Sequence, residues 1–456
     1  MNENELTYYL KCSVPSDIYA CYLSGDFDGM NRLCETRLRM EGVPEEAKKG
    51  MLMVMHLAEV AREEFRLTRE DVLTSLRESV PDYSEKDLDG IIGSGYLHWR
   101  FVDGRKMFFS RAAASILKGL PSERTKAQAS QASSAENPRD TARAIMREKG
   151  FMRVRNRIIS RISLTGEASA AGKQITVHLP LPRENGYQTD IVIERISPKG
   201  GIVSPAGSLT RTVCWKDSPS ENTCCSVEYS YTCTQHFTDT TVPSSGMRGE
   251  ENPSAFLGEQ EPQIVFSPLV RMTVKRLTAG IDDPMERARA VYDYITLNMK
   301  YSYMPPYILM PDIVDECLRS MRGDCGVFAL TMITLLRCAG IPARWQSGLA
   351  AGPEIAGCHD WLLFYTPSHG WLPADPSYGT GAVRDGCEER RRFYFGNLDP
   401  WRMIANDTFM GDFDIPKKFF SIDPYDNQLG EIESAERGFM RHEVEASHEL
   451  VSSEII

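Results

Sequence analysis

A chain of 456 residues is too long for one ordinary core, so two or three domains are expected. Its 42% apolar and 25% charged residues are the balance of a soluble globular protein, and a net charge of −11 argues against broad binding to nucleic-acid phosphates. No apolar run reaches the ~18 residues of a membrane span, and the acidic, polar start lacks the order of a secretory signal. No nucleic-acid or membrane partner is therefore expected, and the location expected is cytoplasmic.

Residues 1–120 read mainly as helix. Thr68 precedes Asp71, and Ser84 precedes Asp87, by the three residues of a capping-box start. Asp103-Gly104 then separates two β-prone runs, a strong hairpin signal. Helix, helix, hairpin outlines a winged-helix-like module. It holds 16 Lys+Arg against 20 Asp+Glu, so a structural or partner-binding role is expected rather than DNA binding.

Residues 121–148 read as a linker, since the first twenty are polar, rich in Ser and Ala and nearly free of large apolar side chains. From 149 to 245 short β-prone runs alternate with turn residues, as in an antiparallel sandwich. After a second loop-rich break, Asp283, Pro284 and Glu286 open a helix that places Ala288, Val291, Ile295 and Met299 on one face. The tail, 428–456, is acidic and expected to be loosely ordered.

Twelve cysteines are scattered, with no CxxC pair, so most are read as reduced packing residues and no metal or cofactor is expected. Cys325 stands apart. It opens the apolar run CGVFALTMITLLRC, which Asp324 is placed to cap and which Gly340 and Pro342 end. In a helix's first turn the unpaired N–H groups and the dipole favour a thiolate, although Asp324 opposes this unless it is occupied in capping. A base is also needed. Downstream, two β-prone runs joined by TPSHG form a hairpin centred near Pro367 and Ser368, which sets His359 opposite Asp375 on one face. A carboxylate so placed fixes the imidazole tautomer and stabilises its charged form.

With RGDCGVFALTMITLLRCAGIPARW, HDW and GWLPADPSYG on the page, the stretch 270–380 resembles the core of the transglutaminase-like superfamily. The resemblance implies an α+β, papain-like core, a central helix packed on an antiparallel sheet, spanning 262–427. It also implies a Cys325, His359, Asp375 triad and, more weakly, a β-sandwich-like domain before the core. Acidic loops suited to the calcium sites of animal transglutaminases and the zinc cysteine pairs of the peptide N-glycanase branch are both missing. Asp360 stands where relatives often have a small residue; on a strand it should point away from the triad.

The backbone N–H of Cys325 is one candidate oxyanion donor. Tyr301 or Tyr303 could supply a second, or could serve packing or substrate contact. Trp361 and Trp371 read equally as cleft walls or core fillers, and Cys358 as packing. His369 falls in the turn and reads as a solvated histidine. Arg402 could meet an acidic substrate group. The expected reaction is attack by Cys325 on an amide of a peptide or protein, giving a thioester that water hydrolyses. Amine transfer to that thioester is the alternative, and a non-catalytic scaffold is a second class of reading.

Overall fold

The computed structural model describes residues 13–119, 137–169, 174–221, 224–243, 252–310, 312–353, 356–419 and 425–456. The chain divides into two compact units, one formed by 1–135 with 300–324, the other by 136–299 with 325–456.

The first unit is built of helices and one hairpin. Thr68 and Asp71 exchange both bonds of a capping box at the helix Arg69–Ser79, and Ser84 accepts from Asp87 N at Glu85–Gly93. Asp103 and Gly104 both take positive φ, 47° and 80°, the geometry that lets a two-residue turn follow the twist of Trp99–Val102 and Arg105–Phe108. Two apolar clusters hold the unit, one around Leu73, Leu76, Leu88 and Phe108, the other around Phe27, Met30 and Val54. Residues 300–324 add the helix Ile313–Ser320 and the short parallel pair of Lys300–Tyr301 with Arg322–Gly323.

The second unit begins with a helix. Pro138–Lys149, expected as linker, is capped by Asn137, starts on Pro138 and closes on Gly150 at φ 80°. The remainder of that expected linker, up to residue 136, lies outside the described residues. Two four-stranded antiparallel sheets follow. The first runs Val444–Ile455, Phe151–Leu164, Cys224–His236, Gln188–Ser197; the second runs Glu431–Ser434, Gln174–Pro180, Thr212–Pro219, Ile202–Val203. One apolar cluster, with Ile158, Ile162, Tyr229, Val177, Leu179 and Trp215, draws on both.

Each sheet takes a strand from 428–456, the segment expected to be a loose acidic tail. Along Val444–Ile455 polar and apolar residues alternate, so Val444 is buried while Glu445 and Glu449 face out. Glu449 meets Arg161 of the neighbouring strand at 2.7 Å. Net charge over the segment hid a half-buried edge strand.

The third sheet carries the site. Its antiparallel strands run Gly370–Ala374, Ala356–Thr366, Ala343–Ala351, Arg402–Asn406. The helix Cys325–Cys338 is buried from Gly326 through Arg337. It ends where Gly340 takes φ 79° and Ile341 N returns to Leu336 O. Arg337 stays on this apolar helix by donating to Ala343 O and Gly258 O, although burial pulls its guanidinium down to about 10. The helix Pro284–Asn298, capped by Asp283 through Glu286 N, buries the expected Ala288, Val291 and Ile295. Among the described residues, no helix is long and apolar enough to cross a membrane.

Candidate active site

Cys325 is the first residue of the buried helix and remains partly exposed. His359 lies on Ala356–Thr366, paired with Gly348 of the next strand. A Cβ at Gly348, whose φ is 156°, would sit 2.0 Å from Met403 O, so this glycine lets three strands close beneath the imidazole.

Thr366 pairs with Gly370 and Leu362 with Ala374, so the hairpin centres on Ser368. Continued one place, that register sets Asp375 beside Trp361. Asp375 is thus a diagonal neighbour of His359 rather than its opposite. The turn lies slightly later than the spacing predicts, which moves the pairing by two places and preserves the face.

Asp375 is fully buried and its two oxygens are divided between tasks. Oδ1 accepts Tyr378 N at 2.8 Å and caps the helix Pro376–Arg384. Oδ2 accepts His359 Nε2 at 2.7 Å and Arg402 Nη1 at 2.8 Å. Burial pushes the Asp375 carboxyl up, but His359 and Arg402 outweigh it and hold it down at about 2. His359 is lowered from its ordinary value by burial, assisted by Arg402 and Arg139 against the pull of Asp375. The pair therefore rests as a neutral imidazole and an ionised carboxylate. With Nε2–H committed to Asp375, Nδ1 is the nitrogen left to accept a proton.

Arg402, read from the sequence as a possible substrate contact, is fully buried instead. Its Nη2 reaches Asp399 Oδ2 at 3.1 Å, and its guanidinium lies 4.5 Å from the Tyr378 ring centre and 5.0 Å from that of Trp361. Tyr378 stacks on the His359 ring at 4.4 Å, and Arg139, from the unexpected helix, donates to the Tyr378 hydroxyl. Trp361 is fully buried with Nε1 on Gln346 Oε1, so it fills the core and has no surface for a substrate. Trp371 is likewise buried, edge-on to Phe256.

Asp360 does not point clear of the thiol: Cys325 Sγ donates to Asp360 Oδ2 at 3.1 Å. The strand Gly370–Ala374 has no pairing beyond Leu362, so at Asp360 this side of Ala356–Thr366 is an open edge. Gln428 Nε2 donates to Asp360 Oδ1 at 2.5 Å and to His359 O at 3.0 Å. Nearby, Asp426 is driven well above the usual carboxyl range by burial and then by the charge of Asp360.

Tyr301 and Tyr303 belong to the first unit. There Arg111 lies 3.5 Å from the Tyr303 ring centre and Tyr96 donates to Tyr301 O. Asp324, also in that unit, accepts the Tyr307 hydroxyl at 2.5 Å. Cys358 is exposed rather than packed. His369, expected in solvent, is buried between Ser368 Oγ and Val242 O. Among the described residues no cluster of His, Cys, Asp and Glu is arranged to hold a metal.

Residues 271–376, which include Cys325, His359 and Asp375, match the family model of the transglutaminase-like superfamily. The Bacillus subtilis (strain 168) protein YebA is 32% identical over 129 residues, 24% of this chain and 17% of that protein. A protein-glutamine gamma-glutamyltransferase of Pseudomonas aeruginosa is 33% identical over 94 residues, 18% of this chain and 14% of that protein. The chain thus spans less than a fifth of either relative. Among solved structures, a candidate cysteine protease from Cytophaga hutchinsonii aligns at TM-score 0.40 and 14% identity over 67% of this chain and 90% of that one. The periplasmic domain of TgpA from Pseudomonas aeruginosa aligns at TM-score 0.30 and 17% identity, over 53% and 93%.

Proposed function

We propose that the protein is a cysteine-dependent amide-bond enzyme in which Cys325 is the nucleophile, His359 the acid and base, and Asp375 the orienting carboxylate. The observation that carries this is the 2.7 Å bond from His359 Nε2 to a buried Asp375, within the same family match that contains Cys325. That bond holds one tautomer and aims a basic nitrogen away from the carboxylate. In the structure the Cys325 thiol is hydrogen-bonded to Asp360, and the reaction requires its proton to pass to His359 instead.

In this scheme the Cys325 S–H proton passes to His359 Nδ1 as sulfur bonds to the amide carbon. The C–N bond then breaks, the amine leaves with the proton from His359, and a thioester remains on Cys325. His359 next takes a proton from water, whose oxygen attacks the thioester carbon; the acid departs and sulfur recovers its proton. The backbone N–H of Cys325, at the helix start, is the proposed oxyanion donor. The acyl donor is a peptide or protein amide, and no cofactor takes part in any step.

Hydrolysis is the favoured outcome, since no feature of the sequence marks a second site that would bind an amine and exclude water. Amine transfer is the second reading, supported by the name of the Pseudomonas relative. A glutamine-containing peptide library incubated with and without a fluorescent amine separates them. Free acid with ammonia or peptide fragments supports hydrolysis, and amine-bearing product supports transfer. Turnover unchanged in Cys325→Ser would refute both.

A further inference from the structure

Three clusters outside the triad repay attention. The Cys214–His178 pair, Sγ to Nε2 at 3.7 Å, is sealed in the β core with both residues fully buried. A cleft of about 640 Å³ beside Asp283, Arg289 and His369 mixes acids and bases without a charge preference. The third cluster, around Asp360, touches the reactive sulfur and carries an inference.

The Asp360 carboxylate is nearly buried and held from two sides. Oδ1 takes the Gln428 amide and Oδ2 takes the Cys325 thiol. Gln428 is itself anchored: its carbonyl accepts His448 Nε2 at 2.9 Å, and His448 Nδ1 meets Ser160 Oγ at 2.8 Å. Its loop is further tied by Asn406 Nδ2 to Asn427 O and by Asn427 Oδ1 to Gly430 N. A chain of bonds therefore runs from the β-sandwich-like domain through 425–430 to the sulfur. Other titratable groups that bear on this carboxylate and thiol are Asp324, the residue before Cys325, and Asp426 on the loop; His359 precedes Asp360 on its strand and is bonded to Asp375, which Arg402 holds from behind. Asp426 is kept toward its acid form by burial and by the charge of Asp360, to which it also hydrogen-bonds, as it does to Ser347.

We infer that Asp360 is a positioning residue that parks Cys325 as a neutral thiol, its proton held by the Asp360 carboxylate, until that carboxylate is neutralised or its bond to sulfur displaced. The physics is direct. An anion one hydrogen bond from sulfur stabilises S–H and opposes S⁻, against the helix-start dipole that favours the anion. Hydrogen bonding to Asp360 also holds the thiol proton, which has to leave that acceptor before it can pass to His359. The inference deepens the proposed reaction by assigning control of the same sulfur, and it rests on that reading only for its consequence in turnover.

The test reads the thiol itself. Cys325 in the full chain is alkylated with iodoacetamide across pH and followed by peptide mass spectrometry. Asp360→Asn keeps a hydrogen-bonding side chain and removes the charge. It is expected to react about tenfold faster at pH 7, with its rate profile displaced to lower pH. Asp426→Asn, which replaces a neutral acid by a neutral amide, is expected to leave the profile in place. An unchanged profile in Asp360→Asn, or a shift in Asp426→Asn alone, overturns the inference. Should Asp360→Asn fail to fold, the wild-type protein decides. The infrared S–H band lost in Cys325→Ser is expected at neutral pH and displaced toward low frequency by its acceptor. Absence of such a band, or an undisplaced one, refutes the parked thiol. A chain that cleaves no amide would sink the proposed reaction and leave this result standing.

Discussion

Arg402 and Asp375 form an ion pair at 2.8 Å in which both side chains are 0% exposed. Such a pair gains little over well-packed apolar residues, yet removing one partner strands the other charge in a low dielectric. Here the stranded group would be the carboxylate that orients His359.

Arg402→Met is therefore expected to lower unfolding stability by about 3–5 kcal/mol, the usual penalty for halving a buried pair. Urea denaturation measures it. In the surviving folded fraction the His359 imidazole is expected to titrate higher, because Arg402 is one of the causes that depress it. Imidazole NMR reads that shift, and a loss of stability below about 1 kcal/mol would contradict the pair's importance.

Asp375→Asn separates two duties of one side chain. Asparagine caps helices nearly as well as aspartate, so Pro376–Arg384 is expected to persist by circular dichroism. Asp399 continues to hold Arg402. With the carboxylate gone, nothing fixes the His359 tautomer, and turnover is expected to fall by about 10³–10⁴-fold. Near-wild-type turnover would remove Asp375 from the mechanism.

Gly348→Ala tests the packing beneath His359. The added carbon would meet Met403 O at 2.0 Å, a backbone atom that yields only if strands Ala343–Ala351 and Arg402–Asn406 part. A loss of about 1–3 kcal/mol or more is expected in urea melts. Because Arg402 begins the displaced strand, turnover should fall in step. A fully stable variant would show that the strands can separate without penalty.

Acid should unfold this protein through His178, which is buried, and the half-buried His448 before it does so through Asp375. His448 is lowered to about 4 and His178 to about 3, each chiefly by burial. An imidazole depressed in the fold leaves the unfolded chain binding more protons below its ordinary value near 6.5. Stability is then lost as pH falls from about 6.5 toward the folded value, by up to ~3 kcal/mol for His448. Asp375, held near 2, acts in a lower window: its contribution is fully present above the unfolded carboxyl value and is lost as pH falls from there through about 2. Urea midpoints between pH 7 and 4 should drop steeply in the wild type and less in His448→Gln. Parallel slopes would refute the assignment.

What the sequence determined by itself was local. The capping boxes, the Asp103-Gly104 turn, the helix opened by Cys325 and the strands bearing His359 and the approach to Asp375 depend on interactions within a few residues. The pairing of His359 with Asp375 was legible because their spacing encodes a hairpin, and the proposed roles of Cys325, His359 and Asp375 come from a family pattern that runs through all three. The tertiary structure decided whatever depends on partners far along the chain. It brought Arg402 to Asp375, Arg139 to Tyr378 and residues 431–434 and 444–455 to the β-sheets. It also brought Asp360 to the thiol. Periodicity assigns a face to each residue of a strand, but the end of a neighbouring strand and the partner waiting there decide where a charge in that strand finally rests.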